Sequence, residues 1–178
     1  MTTLPQGYSL TDASEKDICT LVEVDKAAGM LFADTGLISD EALHDHVPAE
    51  VFDHAIRDSN LITARHDVDQ LIGFALVSVR GGTLYLDQIS VRPDHGRRGV
   101  GGALLHEIIV LAKRRRLRHV TLSTFRDLSW NGPFYAKHGF REIARQKMKQ
   151  WMLELERIQA ADLDISRRCF MMRKTGWL

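Results

Sequence analysis

The chain has 178 residues, of which 44% are hydrophobic and 26% charged, enough apolar side chain for one folded core. Its net charge of +1 excludes a global electrostatic attraction to nucleic acid or to a membrane surface, and no apolar run approaches the roughly 20 residues of a membrane span. Because the first ten residues have neither a basic start nor an apolar core, we predict a cytoplasmic protein without a signal sequence.

The N-terminal third has the pattern of two helical segments. Ser14 begins a sequence typical of a helix N-cap, and apolar residues at helical spacing continue from it to about Ala28. A second helical region opens at Ser39, breaks at Pro48 and resumes over residues 49–57. We expect this broken pair to cover one edge of a sheet.

The middle and C-terminal parts alternate strand and helix patterns. Three segments rich in β-branched residues predict an antiparallel meander, and a later strand after a helix requires a mixed sheet. The predicted strands are 61–64, 71–79, 83–91, 119–124, 140–143 and 168–173, with a hairpin turn at 67–70; the predicted helices are 101–115, 133–138 and 145–161.

The order of these elements predicts an α/β (α+β mixed) fold, with a central mixed, mostly antiparallel sheet flanked by helices. In the absence of repeats and linkers we predict a single domain over residues 1–178, with a core at about 8–143 and a C-terminal helix and strand at about 145–174. Cys19 and Cys169 show neither metal-ligand nor redox spacing, so buried free thiols and no metal site are expected.

The segment from Val91 to Leu105 carries the clearest chemical signal. It joins a β-like segment to an amphipathic helix through a glycine-rich turn that contains Arg97 and Arg98. The first N–H groups of a helix lack intrahelical partners, and an anion satisfies them at the positive end of the helix dipole. The turn lacks the ending of a P-loop and the spacing of a dinucleotide fingerprint, which indicates another nucleotide-type ligand.

Residues 130–140, with the sequence Trp-Asn-Gly-Pro-Phe-Tyr-Ala-Lys-His-Gly-Phe, add a second motif. This segment resembles the C-terminal tyrosine motif of the GNAT superfamily of N-acetyltransferases, and residues 91–105 resemble that family's acetyl-CoA-binding motif. The element order over about 8–143 is similar as well. The resemblance implies a GNAT-like acyl-CoA N-acyltransferase fold and transfer of an acetyl group from acetyl-CoA, a cosubstrate, to a primary amine of a small molecule or peptide.

The resemblance also implies the residues that contact acetyl-CoA. Backbone groups on the strand before the turn are expected to bind the thioester carbonyl and the pantetheine arm, and N–H groups of the turn to bind the phosphates. Two positions depart from the family pattern: Gly96 replaces the usual Gln or Arg, and Leu128 replaces an asparagine, so that Asn131 either takes over the CoA contact or caps the short helix. The implied cofactor-binding residues are Ile89, Ser90, Val91, Arg97, Arg98, Gly99, Val100, Gly101, Gly102 and Asn131.

Two residues are candidates for catalysis. By resemblance Tyr135 is the general acid toward the CoA sulfur; the alternative is that it only packs the short helix together with Phe134. Strand alternation places Asp87 on one face with Tyr85, Ile89 and Val91, where burial raises the pKa of a carboxylate. Asp87 is then a base toward the ammonium, directly or through water, or it binds nearby backbone N–H groups.

Several alternatives stay open at this point. A longer acyl-CoA donor, or a CoA-binding module without catalysis, fits the same motifs. The basic run at residues 113–116 could contact nucleic acid, but basic residues also complement the negative C-terminal end of a helix dipole. We favour the second interpretation and predict no nucleic-acid partner. Met148, Trp151, Met152 and Leu155 recur at helical spacing, which favours core packing or a homodimer contact. The acceptor pocket is expected near residues 29–48 and 126–130.

Overall fold

A computed structural model describes residues 4–67 and 70–176. Seven strands form one sheet, and helices cover both of its faces. The strands are β1 (Tyr8–Asp12), β2 (Leu61–His66), β3 (Gln70–Arg80), β4 (Thr83–Val91), β5 (His119–Phe125), β6 (Arg141–Glu142) and β7 (Arg168–Lys174); the helices are α1 (Ile18–Gly29), α2 (Asp40–Leu43), α3 (Ala49–Arg57), α4 (Val100–Arg114), α5 (Gly132–Lys137) and α6 (Gln150–Gln159).

The spatial order of the strands is β1-β2-β3-β4-β5-β7-β6. The pair β4 and β5 is parallel, and the other neighbouring pairs are antiparallel. The predicted mixed, mostly antiparallel sheet flanked by helices is therefore confirmed. Two residues of the predicted hairpin turn, 68–69, lie outside the described residues. Within the described part of the chain, no helix is long and apolar enough to cross a membrane.

The sequence patterns did not reveal β1. This strand pairs with β2 at the edge of the sheet, from Tyr8 opposite His66 to Asp12 opposite Ile62. It is five residues long, and its polar side chains are largely exposed. A short edge strand of this kind has too few buried side chains to produce a period-two pattern.

Each face of the sheet buries its own apolar cluster. On one face Leu104, Leu105 and Ile108 of α4 pack against residues of β3 and β4 such as Ala75 and Leu86. On the other face α1 and α3 pack against β2 and β3, with Phe52 and Phe74 in edge-to-face contact at 5.1 Å between centroids. Burial of one such side chain contributes about 1.5–3 kcal/mol.

α6 covers the remaining part of the second face. Trp151 and Met152 pack on Tyr85 and Phe170, with ring centroids 5.5 Å apart for Tyr85–Trp151 and 6.0 Å for Trp151–Phe170. Sequence analysis left two roles open for the apolar residues of this helix, core packing and a dimer contact. In the structure they pack in the core.

A β-bulge in β4 corrects the predicted alternation around Asp87. Leu86 pairs with Val77 and Gln88 pairs with Leu76, which leaves Asp87 without an opposite residue. One extra residue reverses the facing of every residue after it. Ile89 and Val91 therefore share a face with Leu86, and the prediction that they share one with Tyr85 is wrong.

The prediction of two buried thiols is half wrong. Cys169 is buried, and Cys19 is exposed. The buried residues of α1 are Leu21, Val24, Asp25 and Ala28, a stripe at helical spacing that leaves Cys19 on the outer side.

Two distant loops meet over the sheet. The Ser39 N–H donates to Asp162 O at 2.9 Å, and the Asp164 N–H donates to Leu37 O at 3.0 Å. Between them Ile38 and Leu163 form an isolated antiparallel bridge. The segment before α2 and the segment after α6 are thereby held together by main-chain bonds.

The turn between β3 and β4 provides a test of the packing of Trp151. Gly81 and Gly82 have φ values of +54° and +77°. An added Cβ at Gly81 would lie 2.1 Å from Trp151 Nε1, whereas one at Gly82 meets nothing within 4 Å. Both positions disfavour alanine by roughly 1–2 kcal/mol, and an overlap in a packed region adds about 1–3 kcal/mol.

We therefore expect Gly81→Ala to lower the free energy of unfolding by more than Gly82→Ala, measured by urea denaturation. The Gly82 variant is the matched control, since it has the same backbone cost without the overlap. Equal losses in the two variants would contradict the packing of the indole on this turn.

Candidate active site

The strands β4 and β5 lie side by side for a short distance and then separate. Their parallel pairing runs from Leu84–Val120 to Leu86–Leu122. β4 continues to Val91 and β5 to Phe125 without further pairing between them. A cleft of about 1030 Å³ is lined by the separated ends of both strands.

The glycine-rich turn forms one wall of this cleft and leads into α4. Gly99, the N-cap, has φ +83°, a left-handed conformation that glycine adopts at no steric cost. The Ala103 N–H is the first to bond back along the chain, to Gly99 O at 3.0 Å. Among the described residues, the N–H groups from Arg97 to Gly102 have no hydrogen-bond partner, which is the arrangement that binds anions.

The two arginines of the turn differ in position. Both are exposed, and Arg97 has a left-handed φ of +58°. Arg97 lines the cleft together with Gly99, Val100, Gly101 and Gly102, whereas Arg98 is not among the lining residues.

His95 fixes the start of this turn to the edge strand β1. It is 9% exposed, and its Nδ1 lies 2.9 Å from the Tyr8 hydroxyl. The ring of His66 lies 5.0 Å away, centroid to centroid. Burial lowers the pKa of His95, and Asp94 opposes the shift. The neutral imidazole is thus favoured at this position.

The edge of β4 that faces the cleft carries free backbone groups. The Arg92 N–H donates to Ile72 O on β3 at 2.8 Å. Because successive N–H groups of a strand point to opposite edges, the N–H of Ser90 also points to β3, and those of Ile89 and Val91 point to the gap left by β5.

Tyr135 stands on α5 at the opposite wall. Its side chain is 7% exposed and packs against Phe134 and Phe140, at 5.1 Å and 5.9 Å between ring centroids. Burial raises the pKa of the Tyr135 phenol, and the charge of Arg168 opposes the rise. The phenol is therefore protonated at neutral pH, and the residue lines the cleft.

Asn131 lies at the N-cap of α5, but its side chain makes no capping bond. Its Oδ1 accepts a hydrogen bond from Thr124 Oγ1 at 2.6 Å. Of the two predicted roles, helix capping is therefore wrong. The residue lines the cleft, with its amide oriented by Thr124.

Asp87, the residue at the bulge, reaches the cleft with a partly satisfied carboxylate. Oδ1 accepts from Arg80 Nη2 at 3.0 Å, and Oδ2 is buried without a partner in the described part of the chain. Burial raises the pKa of Asp87, while Ser78 and Arg80 hold it down. Among the described residues no main-chain N–H donates to this carboxylate, so the alternative role in which Asp87 binds such groups is not observed.

Asp25 is a site residue that sequence analysis missed. It is 5% exposed and lies on α1. Oδ1 accepts from Gln88 Nε2 at 2.8 Å and from Ser90 Oγ at 2.7 Å, and Oδ2 accepts from the Val47 N–H at 2.9 Å. The available signal was an acid within the apolar stripe of a helix, four residues after Leu21.

Arg168 is the second missed residue. It opens β7 opposite Phe125, and its guanidinium lies 4.7 Å from the centroid of the Phe125 ring. Nη2 donates to Ser123 Oγ at 2.9 Å, and Nε is buried without a partner among the described residues. The signal was an arginine alternating with Phe170 and Met172 on one face of a strand.

The cleft brings together all but one of the residues that sequence analysis selected. Arg98 is the exception. The lining residues include Asp87, Ile89, Ser90, Val91, Arg97, Gly99, Val100, Gly101, Gly102, Asn131 and Tyr135, together with Asp25 and Arg168.

Comparison with known proteins supplies a family for this fold. The family model described as acetyltransferase (GNAT) family matches residues 30–140. A mycothiol acetyltransferase from Clavibacter michiganensis subsp. michiganensis is 29% identical over 141 residues, which are 79% of this chain and 45% of that protein. The chain thus spans under half the length of this curated relative.

Solved structures agree in fold. The PaiA N-acetyltransferase of Thermoplasma acidophilum, in complex with coenzyme A, has a TM-score of 0.72 at 21% identity and covers 94% of this chain and 98% of its own. The N-acetylglutamate synthase of Neisseria gonorrhoeae, complexed with coenzyme A and N-acetyl-glutamate, has a TM-score of 0.71 at 17% identity over 95% of this chain and 35% of its own. With more than half of its residues matched by the family model, the chain belongs to the acetyltransferase (GNAT) family.

Proposed function

We propose that the chain transfers an acetyl group from acetyl-CoA to a primary amine of a small molecule or peptide. One observation carries the proposal: a single cleft contains the unpartnered N–H groups at the start of α4, the free edge of β4 and the buried phenol of Tyr135. These are an anion site, a pair of donors for a carbonyl and an acid, the groups that acyl transfer from a thioester requires.

The phosphates of CoA are assigned to the N–H groups from Arg97 to Gly102. Arg97 and Arg98 add long-range attraction, which salt screens because both side chains are exposed. The pantetheine arm is assigned to the edge of β4, where the N–H groups of Ile89 and Val91 face the gap. Ser90 was predicted to contribute as well; its hydroxyl is bound to Asp25, so its contribution would be packing beside the arm.

The base is assigned to Asp87. Its carboxylate takes a proton from the acceptor ammonium, directly or through a water, and releases a neutral amine. The nitrogen attacks the thioester carbon, a C–N bond forms, and the oxyanion is bound by an N–H of Ile89 or Val91. The C–S bond then breaks, and Tyr135 donates its proton to the departing thiolate. The nitrogen loses its second proton to the Tyr135 phenolate, which leaves a neutral amide, and Asp87 releases its proton to water.

Replacement of Tyr135 by phenylalanine tests the general acid. Tyr135→Phe removes the proton donor while the ring still fills the space between Phe134 and Phe140. We expect kcat to fall about 100-fold or more, with the KM for acetyl-CoA nearly unchanged, measured by release of free thiol. Unchanged turnover in a variant with the wild-type melting temperature would show that the phenol only packs.

The pH profile tests the base. Asp87 must be ionised to accept a proton, and its pKa lies above the usual 3.8 because of burial, so kcat/KM falls as the pH drops through that raised value. Arg80→Gln removes the cation that lowers this pKa and should move the acidic limb to higher pH. Asp87→Asn should abolish the limb and most of the activity.

Arg57→Gln is the control for charge removal, since it breaks an exposed ion pair with Asp53 on α3. Its profile should match the wild type. If Arg80→Gln left the limb in place, Asp87 would not be the group that titrates.

Removal of both turn arginines tests how the phosphates are held. Arg97→Ala with Arg98→Ala should weaken CoA binding about tenfold or less at low salt, and the difference from wild type should vanish at high salt because main-chain donors remain. Calorimetric titration with CoA provides the measurement. Arg114→Ala with Arg116→Ala removes the same charge at the other end of α4 and should bind as the wild type does.

A further inference from the structure

The cleft contains two oppositely charged side chains that each bury a polar atom without a partner in the described chain. They are Asp87, through Oδ2, and Arg168, through Nε, and both line the cleft. Burial of an unpaired charged group is costly and persists where a ligand compensates it. The proposed reaction uses Asp87 and leaves Arg168 without a role.

Arg168 is held in place by contacts that leave its charge unpaired. Its Nη2 donates to Ser123 Oγ, and its guanidinium lies over the Phe125 ring. It makes no salt bridge among the described residues. Burial lowers its pKa, but an arginine stays protonated at neutral pH. A guanidinium whose charge is unpaired in this way is suited to a carboxylate, the anion whose geometry it matches.

Tyr85 lies within the field of both charges. The negative charge of Asp87 helps burial to raise the pKa of Tyr85 to about 12, and the positive charge of Arg168 opposes the rise. Among the described residues Asp87 forms an ion pair with Arg80, and no ion pair joins Asp87 to Arg168. Each of the two charges is therefore available to a group of opposite charge on a ligand.

We propose that the acceptor is an amine whose own skeleton carries a carboxylate, as in an amino acid, with its ammonium at Asp87 and its carboxylate at Arg168. This inference rests on the proposed acetyl transfer and names its substrate class. An amine without a carboxylate leaves the guanidinium unpaired. The enzyme then distinguishes the two kinds of acceptor by the carboxylate, which takes no part in the reaction. Arg168 is then a specificity-determining residue.

The experiment compares matched pairs of acceptors. Each pair contains an amino acid and the corresponding amide or decarboxylated amine, and the pairs differ in the number of carbons between nitrogen and carboxylate. Thiol release from acetyl-CoA gives kcat/KM, and calorimetry in the presence of CoA gives the affinity. We expect the acid member of at least one pair to exceed its partner by about tenfold or more.

Variants then assign that preference to one residue. Arg168→Gln should lose the preference by raising the KM of the acid member about tenfold or more, without a change in the KM for acetyl-CoA; Arg168→Lys should restore part of it. Arg167→Gln is the matched control, because the adjacent Arg167 is exposed and pairs with Asp127 on the surface. It should keep the full preference.

Two results would overturn the inference: equal use of both members of every pair by the wild type, or an equal loss for both members in Arg168→Gln. If Arg168→Gln does not fold, the wild-type preference and Arg168→Lys decide. Failure of the proposed function is a different result, in which no amine causes thiol release. A calorimetric preference for acids that Arg168→Gln removes would then still support the binding site.

Discussion

The early end of the pairing between β4 and β5 is the constraint on which the rest of the site depends. After Leu86 and Leu122 the two strands no longer form hydrogen bonds with each other, although both strands continue. Backbone N–H groups left in this way require another partner, either water or a ligand. The helix that connects the two strands begins at the same opening, because only the turn at residues 92–99 separates α4 from β4. The unpaired edge of β4 and the unpaired N-terminal end of α4 therefore face the same cleft.

The two parts of the cleft are formed by different kinds of chemical group. The part near α4 consists of main-chain donors, and the nearby side chains of Arg97 and Arg98 are exposed. The opposite part contains charged side chains, namely the buried Asp25 and the half-buried Asp87 and Arg168. Main-chain donors follow from the course of the backbone, which the family shares, whereas these charges come from individual positions on α1, β4 and β7. In the proposed reaction, recognition of CoA is thus separated from recognition of the acceptor amine.

This division explains what sequence patterns predicted. Periodicity located the helices and most strands, and the glycine-rich turn and the tyrosine motif identified residues that line one cleft, because each is a local pattern. The facing of Ile89 and Val91 was predicted wrongly, since a bulge depends on pairing with β3 and leaves no mark in the strand itself. Asp25 and Arg168 were missed for a related reason: each becomes a site residue through partners that are distant in the sequence, such as Ser90, 65 residues from Asp25, and Ser123, 45 residues from Arg168.

The bridge between Ile38 and Leu163 separates the wall of the cleft from the contacts that hold the wall in place. The contacts that join these two loops run through main-chain atoms of Leu37, Ser39, Asp162 and Asp164, while Ile38 and Leu163 line the cleft. Main-chain bonds do not depend on side-chain identity, so residues at the cleft wall can be exchanged while the loops stay joined. Substitution of Ile38 or Leu163 can therefore reshape the wall of the cleft while the main-chain contact between the two loops is kept.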